Sequence, residues 1–248
     1  MEITTDQNIK IIAQYAIVTF SSAVVLKGND QGRMFSPKLP DINQDALDSL
    51  KRGIYTKVFF QFPYKFWDDV EFILTANEER GASSLWQNLD MFKLLPGSNI
   101  IFQTLTAELG IRAEELGEEV IREEQMNYLR NVYGQNIPDP TDVYIARFYQ
   151  DPLFLQAWGD WDQYTSPDIC DQIKAPILNK EEQQNLFLSG EATCCRYRGF
   201  THGGFLAGKR DALAVLVALG YDDVNTDYEI SCENQEAGTG GAPYGKGR

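Results

Sequence analysis

The stretch that most constrains the fold lies near the end of the chain, Leu186 to Gly220, reading LFLSGEATCCRYRGFTHGGFLAGKRDALAVLVALG. A short apolar run, Leu186-Phe187-Leu188, leads into a glycine-punctuated loop, after which Leu206, Leu213, Leu216 and Val217 recur at helical spacing. The order predicts a strand, a loop and a helix N-terminus. Such a helix start gathers unpaired backbone N–H groups and the positive end of the helix dipole, which suits an anion or an electron-rich carbonyl. Gly199, Gly203, Gly204 and Gly208 would let a flat ligand come close to the backbone, and Glu191 could accept hydrogen bonds from ligand hydroxyls. By pattern alone this is half of a cofactor site or a turn that merely packs a helix on a sheet.

The individual residues say more. Gly190-Glu191, then Thr193, and Gly199-Phe200-Thr201-His202-Gly203-Gly204 resemble the carboxy-terminal flavin motif of the flavin-containing amine oxidases, the polyamine oxidases above all, where the pattern is G-E-x-T, a short gap, G-[YF]-x-H-G-A and a helix. The resemblance implies FAD as cofactor. It makes Gly190, Glu191, Gly199, Thr201, His202 and Gly203 cofactor-binding residues, with Glu191 toward the ribityl chain and the Thr201–Gly204 helix start toward the pyrimidine edge.

Bulk properties narrow the alternatives. With 248 residues and 43% hydrophobic content the chain can bury a large core or two smaller ones. Thirty-six acidic against 22 basic residues give a net charge of −14, which disfavours nucleic acid and anionic membranes and attracts cations, or simply confers solubility. No apolar run approaches the roughly 18 residues of a membrane span, and the first residues lack the basic and apolar regions of a signal peptide. A single histidine, His202, and four cysteines without zinc spacing predict no metal site. Cys170, Cys194, Cys195 and Cys232 show no CxxC pattern, and the adjacent pair is poorly placed to bond to itself, so reduced thiols are expected.

Along the chain, Ile9, Ile11 and Ala13 alternate with polar residues as in a half-exposed strand, and Tyr15–Phe20 reads as a strand buried on both faces. This region resembles the family segment Y-x-I-V-T-x-S-x-G-V-L, with Ala23 in the usual glycine position. Asp45–Gly53 predicts a short helix. Ile54–Phe62, β-branched and aromatic, predicts a strand, within which Lys57 reads as an edge lysine snorkelling to water. Tyr55-Thr56-Lys57-Val58-Phe59 and Phe62-Pro63-Tyr64-Lys65-Phe66-Trp67 also resemble the polyamine oxidase pattern Y-T-K-I-F…F-P-K-K-F-W. That likeness implies a catalytic Lys57 holding a water against the flavin N5 and a substrate-channel Tyr55.

Strand-like segments at 71–76, 84–92 and 99–106, separated by Gly81 and Pro96-Gly97, predict an antiparallel meander. From Gly110 to Gly134 the period turns helical through Leu116, Val120, Ile121, Leu129 and Val132, with Glu114, Glu115, Glu118, Glu119, Glu123 and Glu124 as a solvated face. Thr141–Trp161 resembles T-D-x-x-x-x-R-W-x-x-[DE]…G-x-[FY]-[SG]-x-W in Arg147, Asp151, Trp158, Gly159 and Trp161, and departs from it at Phe148 and Gln156. The resemblance sets substrate-binding Trp158 and Phe200 as two walls of an aromatic slot that orients an amine. Residues 166–180 read as a loop, and the Gly-rich end, 221–248, as a tail that does not fold.

The expected fold is α+β or α/β, a mixed substrate-domain sheet flanked by helices together with the returning part of a Rossmann-like FAD-binding domain. Its parts would be residues 1–28 (FAD-domain strands), 29–170 (substrate-binding domain) and 171–220 (carboxy-terminal FAD segment). No strand–G-x-G-x-x-G–helix unit for the ADP half of FAD occurs in the sequence, so an amino-terminal part is expected to be missing and the site incomplete. Two functions follow: an FAD-dependent oxidase that turns an amine or polyamine into an imine with O2 as acceptor and H2O2 as product, or a flavin-free, inactive fragment or interaction module.

Overall fold

The computed structural model describes residues 1–78, 81–221 and 232. In chain order the elements begin with strands β1 (Glu2–Thr4), β2 (Lys10–Ile12) and β3 (Ala16–Val18), helices α1 (Ser22–Asp30) and α2 (Asp41–Ser49), and strand β4 (Lys51–Gly53). Strands β5 (Tyr55–Gln61), β6 (Phe72–Leu74), β7 (Leu85–Asn88) and β8 (Ile100–Thr106) follow, then helices α3 (Ala107–Leu116) and α4 (Glu118–Tyr133). The chain continues through β9 (Asp142–Ile145), β10 (Trp158–Asp160), α5 (Ile169–Ile173), β11 (Ile177–Leu178), β12 (Gln184–Leu188) and α6 (Thr201–Ala218). They fall into two units, Arg52–Ala157 and the discontinuous Met1–Lys51 with Trp158–Arg248. Among the described residues no helix is long and apolar enough to cross a membrane.

Arg52–Ala157 is built on a five-stranded antiparallel sheet ordered β6-β7-β8-β5-β9, which contains the expected meander. Alternation along β5 turns Thr56, Val58 and Phe60 into a core and leaves Tyr55, Lys57 and Phe59 on the other face. Ala113 of α3 and Ile121, Met126 and Leu129 of α4 cover the first face, against Val58, Phe60, Trp86, Leu105 and Ile145. The single helix expected over 110–134 is two helices. Gly117, at φ +83, occupies the left-handed region that glycine alone enters freely, and there the chain turns from α3 into α4. The break resets the helical phase, so Leu116, Val120 and Val132 of the expected apolar stripe are exposed while Gln125 and Met126 are buried. At the ends of the unit, the Ala157 N–H donates to the Gly53 carbonyl at 2.8 Å.

In the discontinuous unit β3 pairs in parallel with β12, Ala16 opposite Leu186 and Val18 opposite Leu188, and β11 flanks β12 on its other side. Tyr15–Phe20 is therefore not buried on both faces: β3 is an edge strand, and Ile17 and Phe20 are exposed. Residues 22–30 leave the extended path altogether. The Ser21 hydroxyl accepts from the Val24 N–H at 3.3 Å and caps α1, an N-cap signature that the apolar residues around it obscured. Helix α2 begins at Asp41 directly after Pro40 and stops at Ser49, four residues ahead of the expected span at both ends. The expected loop at 166–180 contains α5 and β11. The short α5 is held by Asn43, whose buried side-chain amide donates to the carbonyls of Gln172, Ile173 and Ala175 at its C-terminal end. Val25, Leu47, Ile169, Ile173 and Leu188 form the core of this unit. The hairpin β1–β2 leaves Ile3, Ile9, Ile11 and Ile12 exposed, where one half-buried strand was expected.

Candidate functional site

After β12 the chain reverses at Gly190, at φ +104, and makes two short 3₁₀ turns, Glu191–Thr193 and Cys195–Tyr197, before Phe200 opens α6. The spacing G-E-x-T has a local cause. The Thr193 hydroxyl donates to the Gly190 carbonyl at 2.8 Å and accepts from Arg210 at 3.1 Å, while Arg210 also donates to the Thr193 carbonyl and pairs with buried Asp211. Helix α6 is thereby fixed to the first turn. The carboxylate of Glu191 accepts from the Gly159 N–H at 2.9 Å and the Gly199 N–H at 2.8 Å, joining the start of β10 to the loop before α6.

Gly199, at φ +75, runs against the Trp158 indole, and a β-carbon there would sit 3.6 Å from the ring. Trp158 and Phe200 thus flank the same glycine. Phe200 is 60% exposed and stacks on His202, their rings 5.2 Å apart, and His202 also meets Tyr197 edge-on. Among the described residues no side chain caps the N-terminus of α6, and its first turn holds no acidic residue, which leaves the dipole end open to a ligand. The buried stripe of α6 is Gly203, Ala207 and Asp211 rather than the expected leucines, because small residues let the helix lie directly on the 3₁₀ turns. The Arg198 guanidinium lies 3.6 Å over the Trp161 ring, and burial pushes its pKa below the ordinary value against the opposing pull of Asp160 and Glu191. Trp161 stood out in the sequence only as a match to the family pattern and Arg198 not at all; a pairing of Arg with Trp at such distance along the chain leaves no local signal.

The expectation of reduced thiols is overturned. Cys170 bonds to Cys195 and Cys194 to Cys232, leaving no free cysteine. The adjacent cysteines face different ways: Cys194 is fully buried beside Ala207, whereas Cys195 points to the core around α5. Each therefore reaches its own distant partner, a geometry that the absence of a spacing motif could not reveal. Thiol titration of the unreduced, denatured protein is expected to find no reactive thiol and, after reduction, four. Replacing both Cys194 and Cys232 by serine should lower stability by about 4 kcal/mol, the loop-closure effect of a bond across 38 residues. Apart from Tyr221 and Cys232, the expected unfolded tail lies outside the described residues.

Lys57 and Tyr55 stand on the outer face of β5 in the other unit. The Lys57 ammonium lies 4.6 Å from the Phe102 ring centroid and 5.8 Å from that of Tyr55, a cation held over aromatic faces. Glu114 behaves unlike the rest of its acidic run. It is 1% exposed and accepts from the Thr56 hydroxyl at 2.8 Å and from the N–H groups of Tyr149 and Gln150 at 3.3 and 3.0 Å. Its place beside Gly110 and Ala113 on one stripe of α3 was the available sign that it faces inward.

A model of the flavin containing amine oxidoreductase family matches residues 2–216, and the chain belongs to that family. Polyamine oxidase 1 of Zea mays is 31% identical over 219 residues, covering 87% of this chain and 41% of that protein. Polyamine oxidase 7 of Oryza sativa subsp. japonica is 31% identical, with 83% and 42% covered, and lysine-specific histone demethylase 1B of Mus musculus 26% identical, with 86% and 25% covered. The chain spans less than half the length of these relatives.

Proposed function

We propose that the chain supplies the carboxy-terminal part of an FAD-dependent amine oxidase acting on an amine or polyamine. The observation that carries this reading is the open N-terminus of α6, beside Gly199 and between the half-buried Trp158 and the exposed Phe200, in the family's own G-E-x-T and G-F-T-H-G residues. The donor set fits a flavin, since backbone N–H groups at an uncapped helix start suit the electron-rich pyrimidine edge. On this reading Gly190, Glu191, Gly199, Thr201, His202 and Gly203 hold the cofactor. Glu191 organises the loop through Gly159 and Gly199 and keeps lone pairs for ribityl hydroxyls. The parallel β3–β12 pair would be the returning part of a Rossmann-like domain spanning 1–28 and 171–220, with 29–170 binding substrate.

When bound, the flavin supplies a two-electron oxidation of amine to imine, with O2 taking the electrons to give H2O2. The chain's own contribution is positioning. Trp158 and Phe200 orient the amine between aromatic faces, Tyr55 lines the approach, and Lys57 holds a water through Nζ for the return of oxidising equivalents. The test is to mix the protein with FAD, separate unbound flavin, and measure retained visible absorption and spermidine-dependent H2O2. Retention and peroxide would support this reading. In that loaded protein Lys57→Met should slow reoxidation by O2 by about a hundredfold while amine oxidation persists. A protein that neither retains FAD nor gains thermal stability from it would leave the flavin-free interaction module as the correct reading.

A further inference from the structure

A cavity of about 310 Å³ lies in Arg52–Ala157, between α3, α4 and the turn before β7. It is on the sheet face opposite Lys57: Leu105, which lines it, is the register partner of Thr56 on the covered face, whereas Lys57 pairs with Thr104 on the other. Two of its lining side chains, Ser83 and Gln125, are 1% and 4% exposed, and their Oγ and Oε1 have no hydrogen-bond partner among the described residues. One step along the same face of β8, buried Gln103 is unpartnered at both amide atoms. Buried polar groups without partners are costly, and their concentration beside one cavity marks a place built for a polar guest.

The atoms decide which guest. Three of the four unpartnered atoms are oxygens, so donors are what the cavity wants. The Arg112 guanidinium at its rim is committed to Glu124 by two hydrogen bonds of 2.6 and 2.5 Å, which removes the obvious anchor for an anion. Helices α3 and α4 carry seven glutamates against three arginines, so the surrounding field favours a cation. Leu105, Leu109 and Ile121 provide an apolar wall. We propose that this cavity binds the ammonium end of a small alkyl amine, Ser83 and Gln125 accepting from its N–H groups and the alkyl stem lying along the leucine and isoleucine wall. It is a second amine site, independent of the oxidative reading and of Lys57.

The 248-residue protein, labelled with ¹⁵N, is titrated with 1,4-diaminobutane and with n-butylammonium, sodium butyrate serving as the anionic counterpart. Both amines are expected to shift the Gln125 side-chain amide saturably, and butyrate is not. Gln125→Met removes a buried amide whose oxygen has no partner among the described residues, so folding should be kept, as thermal unfolding verifies, while amine affinity falls roughly tenfold or more. Lys57→Met should bind as the parent does, which separates this site from the proposed oxidase chemistry. The proposal is overturned by a shift that does not saturate, as water-filled space would give, or by butyrate binding in place of amine. It is equally overturned if affinity is unchanged in Gln125→Met or is lost in Lys57→Met instead.

Discussion

Gly203→Ala is expected to be the most damaging single-methyl change in the flavin-motif loop, costing on the order of 3–5 kcal/mol in unfolding free energy. A β-carbon at Gly203 would lie 2.0 Å from the Tyr197 carbonyl oxygen and 2.8 Å from its carbon. Both are main-chain atoms, so no rotamer change relieves the overlap, and either α6 or the Cys195–Tyr197 turn must move. That turn carries the chain into Gly199 and the open helix end, so the change should also abolish whatever ligand the loop holds. The control is Gly208→Ala on the same helix, where nothing lies within 4 Å, and where alanine should gain about 0.5–1 kcal/mol from helix propensity. Denaturant midpoints of the two variants should move in opposite directions; equal midpoints would refute the close approach.

Glu114→Ala is expected to cost about 3–5 kcal/mol, because it strands the Thr56 hydroxyl and the N–H groups of Tyr149 and Gln150 without an acceptor in a buried place. The same variant should loosen residues 149–150, seen as faster amide hydrogen exchange there. Glu114→Gln keeps one acceptor oxygen and should lose less. Exposed Glu115→Ala, one residue on, should change stability by less than about 0.5 kcal/mol. If Glu114→Ala and Glu115→Ala unfold alike, the inward carboxylate is not a structural clasp.

How much of this was written in the sequence depended on how local each cause was. The strand, loop and helix around Leu186–Gly220 and the strand through Lys57 were legible because period, glycine spacing and β-branched content all act within a few residues. Tyr15–Phe20 misled because apolar content tells how much surface a strand can bury, and only its neighbours decide how much it does. The acidic run concealed Glu114 because a carboxylate's burial depends on donors from Thr56 and residues 149–150, far away along the chain. Both disulfides escaped notice for the same reason, their partners lying 25 and 38 residues apart with no motif between. Within the site, the G-E-x-T and glycine positions could be read one by one, while the Glu191 bridge from Gly159 to Gly199 required the fold.

The hydrogen bond from Ala157 to Gly53 joins the last residue of the five-stranded unit to its second, so the two ends of that unit all but meet. A segment whose two ends meet behaves as a cassette inserted into the sequence of its host. Its host needs only a short bridge to close where the cassette leaves, and the cassette carries its own core. Changes along β5–β8 can therefore accumulate with little consequence for the β3–β12 pair or the loop before α6. Such separability lets one part of a molecule diversify while another stays fixed.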